Sequence, residues 1–197
     1  MRISFNNVGY RALFSSFVIG LSLCLYGCVD QRKKSLEKDL QLMYEQEMIL
    51  PIDSMQAING QYFNYSSEKP IMTIVSFVDS SLCSSCAIED LDDWIPLIDK
   101  IKNYSRTINL YFIFDVPRDY VEETINKAQL VSSRIKVPIY LDIDHSFKKN
   151  NVKLCKSPYF SVFSLDENNK IKIVGHPVYN KKIHEILWKE IETKNNY

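Results

Sequence analysis

The chain has 197 residues, 46% of them hydrophobic and 12% aromatic, enough for one domain with a full core plus a leader or tail. Its 24 Lys and Arg balance 24 Asp and Glu, so net charge makes no electrostatic case for nucleic acid or for a broadly anionic partner. With 5 Gly and 12 Tyr and no internal repeat, collagen-like and low-complexity structure are excluded.

Residues 1–27 read as an export signal. Arg2 and Arg11 supply the positive start, and Ala12 to Leu25 form an apolar run that is short for a membrane span. The run leads into Leu25-Tyr26-Gly27-Cys28. That tetrapeptide resembles the bacterial lipobox, with Leu three before and a small residue directly before the cysteine to be acylated; Tyr26 is bulkier than the residue usual at its place. The resemblance implies that Cys28 is lipidated and becomes the first residue of a mature protein facing the periplasm or the cell exterior. An uncleaved signal anchor is the alternative, and it too would tether the domain to the membrane.

Residues 28–35 are a polar tether. Over 36–50, Leu36, Leu40, Met43, Tyr44 and Met48 recur at helical spacing with charges between them, which predicts an amphipathic helix closed by Pro51. Asn59-Gly60 offers a turn and Tyr62 to Tyr65 an edge strand. The main domain, 51–197, then alternates. A strand over Ile71–Val78 leads to a helix from about Ser84 to Asn103, in which Pro96 predicts a kink. A strand over Ile108–Val116, a helix near Arg118–Ile135 and a strand over Val137–Ile143 follow. This order argues for parallel strands with crossover helices. A short helix over His145–Asn151, strands Tyr159–Asp166 and Lys170–Gly175 joined by Glu167-Asn168-Asn169, and a helix over Lys181–Lys194 complete the chain.

Five cysteines are present, but Cys24 would leave with the signal and Cys28 would carry lipid, so Cys83, Cys86 and Cys155 remain. Cys83 and Cys86 lie between the first core strand and its helix. At a helix start the first sulfur faces unpaired backbone N–H groups and the positive end of the helix dipole, which stabilises a thiolate. The second sulfur sits one turn on, within reach for a disulfide. A static bridge is the competing reading, but so small a loop removes little unfolded-chain entropy. Glu89, Asp90, Asp92 and Asp93 follow in the same helix and disfavour a thiolate, which predicts a reducing to intermediate potential.

With the Ser76–Cys86 elbow, the Asp142-Ile143-Asp144 strand end, the Val162–Asn168 segment and Val174-Gly175, the chain resembles the exported, membrane-anchored thioredoxin-like lipoproteins of the TlpA and redoxin type over about residues 50–192. The resemblance implies a thioredoxin-like three-layer α/β/α sandwich with a central mixed sheet, preceded by the N-terminal helix. It also implies Cys83 as nucleophile, Cys86 as resolving thiol and no cofactor beyond the dithiol. The partners implied are exported protein disulfides and an electron-donor thiol.

The sequence departs from that pattern in four places. Leu82 stands where the family usually has Trp, and Ser84-Ser85 where Gly-Pro is common. Ser76 and Phe77 occupy the neighbourhood of the usual buried acid, so no obvious proton shuttle is present; Asp79 and Glu89 are the nearest acids. Ser157-Pro158 matches the cis-proline that lines the site, yet Pro158 is two residues further from Asp166 than the family spacing, with Phe160 at the expected position. Cys155, three residues before Pro158, would come near the dithiol as a further resolving cysteine or as a thiolate metal ligand with His145 or His176, although no metal-ligand spacing supports a metal. The rival to an enzyme is a non-catalytic lipoprotein using the fold as a binding or scaffold module.

Overall fold

The computed structural model describes residues 31, 33–44, 46–58, 69–104, 107–154 and 160–195. Residues Met1–Leu42 and Met43–Tyr197 form two units, and the second carries the sheet. Helix α1 occupies residues 33–43. The helix expected over 36–50 is therefore cut short. Beyond it the backbone is taken by the far end of the domain: Met48 N–H donates to Asn169 O (2.8 Å), and Ile171 N–H donates to Gln46 O (3.0 Å). A sheet partner at 46–48 and a helix over the same residues would compete for the same groups. Pro51 instead precedes a short 3₁₀ turn, Ile52–Ser54.

Six strands form one mixed sheet in the order β1-β4-β3-β2-β5-β6. They are β1 (Gln56–Ile58), β2 (Met72–Val78), β3 (Ile108–Asp115), β4 (Ile139–Asp142), β5 (Val162–Leu165) and β6 (Ile171–Val174). β2, β3 and β4 are parallel, while β1, β5 and β6 join antiparallel. The central run reads as continuous apolar sequence because β2 is covered on both faces: Met72 to Phe77 are all buried. One edge strand is Gln56–Ile58, against β4, and the strand expected over 62–65 lies outside the described residues.

Alternate residues of the strands face opposite sides. Ile74, Leu110, Phe112 and Leu141 share one core with residues of four helices, α2 (Ser84–Glu89), α3 (Ile95–Lys102), α4 (Val121–Ile135) and α6 (Lys181–Asn195). Val75, Phe77, Ile113 and Phe163 are buried on the other face. There Phe147 of α5 (Ser146–Asn150) stacks on Phe77 with centroids 4.6 Å apart. The same face is closed by Asn151, whose amide donates to Ile49 O (2.8 Å) and whose Oδ1 accepts from Ile49 N–H (3.0 Å).

The helix expected from Ser84 to Asn103 is broken into three pieces rather than kinked. α2 gives way to a 3₁₀ segment, Asp90–Trp94, and α3 begins afresh with Pro96 in its first turn. Proline is tolerated there because the first-turn N–H groups have no intrahelical acceptor. The break turns Trp94 inward, where it is 2% exposed and meets Phe112 edge-on at 5.1 Å. The β5–β6 hairpin forms as expected: the Asp166 carboxylate accepts from Asn168 N–H and Lys170 N–H, and Asn169 takes the left-handed conformation that asparagine tolerates.

Candidate active site

β2 delivers the chain to the edge of the sheet at which β3 and β4 also end, the place where open α/β sheets set their functional loops. The turn after it is built by Asp79. Its carbonyl accepts from Leu82 N–H (2.9 Å), and its carboxylate accepts from Ser81 N–H (2.9 Å). Burial pushes the Asp79 carboxyl up, but hydrogen bonds from Lys148 and Ser81 outweigh it and hold the group below its ordinary value. Asp79 is therefore an anchored carboxylate. Glu89, the other nearby acid, pairs with Lys127 of α4 at 3.6 Å.

Cys83 caps α2. Its backbone is extended, its carbonyl accepts the first helical bond from Ala87 N–H (3.0 Å), and its sulfur accepts from Cys86 N–H (3.3 Å). Cys83 and Cys86 form a disulfide, with Cα atoms 5.4 Å apart. Both cysteines are exposed, and beside them Leu82 stands 48% exposed. An accessible sulfur that accepts a backbone N–H at a helix start is the setting that favours thiolate chemistry. The acids that follow are partly neutralised: besides the Glu89–Lys127 pair, Asp92 forms a two-bond pair with Arg134 (2.8 and 3.1 Å).

Sequence reasoning missed Asp115 beneath this turn, and read Asp142 only as a strand end and His145 only as a candidate metal ligand. Asp115, the last residue of β3, has a side chain only 1% exposed. One of its carboxylate oxygens accepts from both Ser80 Oγ–H (2.8 Å) and Ser80 N–H (3.3 Å); the other contacts His145 Nδ1. Asp142, which ends β4, is also buried, and it accepts from Ser146 N–H (2.8 Å) and Phe147 N–H (2.7 Å) at the start of α5. An acid closing an apolar strand run, as in Phe112-Ile113-Phe114-Asp115, was the available signal. Spacing alone could not pair it with His145.

His176 and Trp94 meet with ring centroids 4.9 Å apart, and Tyr179 stacks on His176 at 4.4 Å. Burial lowers the His176 pKa, with Asp93 opposing, and its buried Nδ1 has no hydrogen-bond partner among the described residues. Tyr179 donates to Asp93 at 2.9 Å, and burial together with that carboxylate pushes its hydroxyl up to about 12. Trp94 is a core residue, and the stack runs outward from it through His176 to the exposed Tyr179.

Cys28, Cys155, Ser157 and Pro158 lie outside the described residues. Among the described residues no group of three or more His, Cys, Asp or Glu could hold a metal ion, and no helix is long and apolar enough to cross a membrane.

A parallel β2-α2-β3 unit carries the dithiol on its helix start, β5 lies antiparallel against β2, and the β5–β6 hairpin is followed by α6. The fold is thioredoxin-like. No family model matches the chain, and no curated protein matches it. Solved structures similar to it include a domain of a possible thiol-disulfide isomerase from Cytophaga hutchinsonii, at 17% identity and TM-score 0.47, covering 76% of this chain and 95% of that one. The thioredoxin domain of the thiol-disulfide oxidoreductase BVU-2223 from Bacteroides vulgatus is similar at 15% identity and TM-score 0.46, over 61% of this chain and 79% of that one. StoA from Bacillus subtilis is similar at 19% identity and TM-score 0.41, over 64% and 85% of the two chains.

Proposed function

We propose that this thioredoxin-like chain is a thiol–disulfide oxidoreductase, tethered to a membrane by lipid at Cys28, that acts on disulfides of exported proteins. The observation that carries the reading is the exposed Cys83–Cys86 pair at the cap of α2. In the reducing direction the Cys83 thiolate attacks one sulfur of a substrate disulfide. A Cys83–substrate bond forms, the substrate disulfide breaks, and the departing substrate sulfur takes a proton. The Cys86 thiol then gives up its proton and attacks Cys83 Sγ, closing the Cys83–Cys86 disulfide and releasing the second substrate thiol. Two electrons have passed to the substrate, and a donor dithiol returns them by the same two steps. The dithiol is itself the redox group, so no cofactor is required. Glu89 at the end of α2 and the acids of the 3₁₀ segment after it, only partly neutralised by Lys127 and Arg134, oppose a strongly stabilised thiolate, which favours a reductase over a strong oxidant.

The full chain in detergent is expected to accelerate insulin reduction by dithiothreitol, and Cys83→Ser to run at the uncatalysed rate. Equal rates for the two proteins would refute the enzyme and leave the scaffold reading. Cells grown with labelled fatty acid are expected to label the wild-type chain and not Cys28→Ala; equal labelling of the two, or none in the wild type, would refute the lipid tether.

A further inference from the structure

Three non-glycine residues among those described have positive φ: Lys136, His145 and Asn169. Lys136 ends helix α4 and Asn169 turns a hairpin, both ordinary places for that conformation. His145 does neither. It stands between β4 and α5 at φ 58°, ψ 32°, a conformation that costs free energy for any side chain with a Cβ. Such a residue persists where its surroundings over-determine it.

What holds His145 is Asp115. The buried carboxylate needs donors, and it has them on two sides: the imidazole Nδ1 of His145 and the N–H and hydroxyl of Ser80. Ser80 belongs to the turn that presents Cys83. The stretch that begins with His145 grips the same turn once more and the strand that leads into it. Lys148 Nζ donates to the Asp79 carboxylate, and Phe147 stacks on Phe77, the residue that precedes the last one of β2. α5 is in turn fixed by the Asp142 carboxylate. Two further cations hold Asp144 at this corner: Arg118 donates to its carboxylate (2.9 Å), and Lys149 donates to its carbonyl (2.7 Å).

We propose that His145 is a positioning residue for the dithiol. Acting through Asp115 and Ser80, it fixes the turn from which Cys83 is presented, so that the loop after β4 sets the reactivity of the Cys83–Cys86 pair. The inference rests on that pair being a working dithiol. It does not place His145 in contact with substrate or with either sulfur.

His145→Gly, Ser80→Ala and the double variant test it in the full chain. Glycine suits the left-handed backbone, so His145→Gly removes the ring while keeping the backbone conformation. The readouts are the equilibrium constant of the dithiol with glutathione, the pH dependence of Cys83 alkylation in the reduced protein, and the thermal midpoint. Each single variant is expected to shift the glutathione equilibrium by about fivefold or more and to move the alkylation profile, with the double variant no further displaced than the larger single, as for residues in one hydrogen-bond network. Asp115→Asn is expected to give the same shift. Unchanged equilibrium and alkylation in folded His145→Gly would overturn the proposal, as would fully additive shifts or a change confined to the thermal midpoint. Wild-type protein that fails to exchange with glutathione would refute the dithiol reading itself, an outcome distinct from wild-type exchange that His145→Gly leaves unaltered.

Discussion

Replacing Cys86 by serine is expected to trap the chain on its substrate. Cys83 keeps its place at the cap of α2 and still attacks, but the mixed disulfide it forms has lost the neighbouring sulfur that resolves it. Escape then depends on an external thiol. With that thiol at about 1 mM, and the lost sulfur credited with an effective concentration of about 1 M, turnover falls roughly 1,000-fold; well-oriented intramolecular groups reach far higher values. Non-reducing gels of cells carrying Cys86→Ser should show thiol-sensitive adducts that Cys83→Ser abolishes, and mass spectrometry of those adducts identifies the substrate class. Adducts of equal abundance in Cys83→Ser would mean that Cys83 is not the attacking sulfur. The proposed order of roles draws on the placement of Cys83 at the cap of α2, where its sulfur accepts the Cys86 N–H, with Cys86 one turn further along the helix.

Phe112→Ala is expected to produce the largest loss of stability. Phe112 lies mid-way along β3, is fully buried at 0% exposure, and packs edge-on against Trp94. No neighbouring side chain on a paired central strand can collapse freely into the space its ring would leave. Truncations of this kind cost about 3–5 kcal/mol, a large part of the roughly 5–15 kcal/mol that holds an ordinary domain together. The thermal midpoint should fall by about 6–20 °C. Leu130→Ala, at a position 66% exposed on α4, is the control and should change stability by less than about 0.5 kcal/mol. Equal melting of the two variants would mean that the Phe112–Trp94 contact is not part of the core.

The contrast between these residues shows where local sequence suffices. Phe112 sits in Ile108–Phe114, a run whose alternate residues are buried in one common cluster, and such a run reads as a strand without knowledge of its partner. α4 and α6 were equally legible from their apolar spacing, and the dithiol from two cysteines at a strand-to-helix junction. The errors have a common cause. The amphipathic pattern over 36–50 is real, but helix stops at residue 43 because the β5–β6 hairpin, more than a hundred residues later, claims the backbone of 46–48. Pro96 was legible as a disturbance, but whether it kinks a helix or starts one depends on how Trp94 packs.

The elbow from Ser76 to Cys86 was visible in the chain itself, because a β-branched run, a polar turn and a helix start are properties of neighbouring residues. Its setting was not. Asp115 and His145 are 30 residues apart, and Ser80 is 35 residues from Asp115; the sheet order brings them together. A buried carboxylate finds its donors through space, since the cost of leaving it unpaired falls on whichever chain segments the fold places beside it. Local periodicity therefore determined the strands, the helices and the position of the dithiol. Only the tertiary structure decided which buried acid supports the turn that presents Cys83, and which histidine holds that acid from the other side.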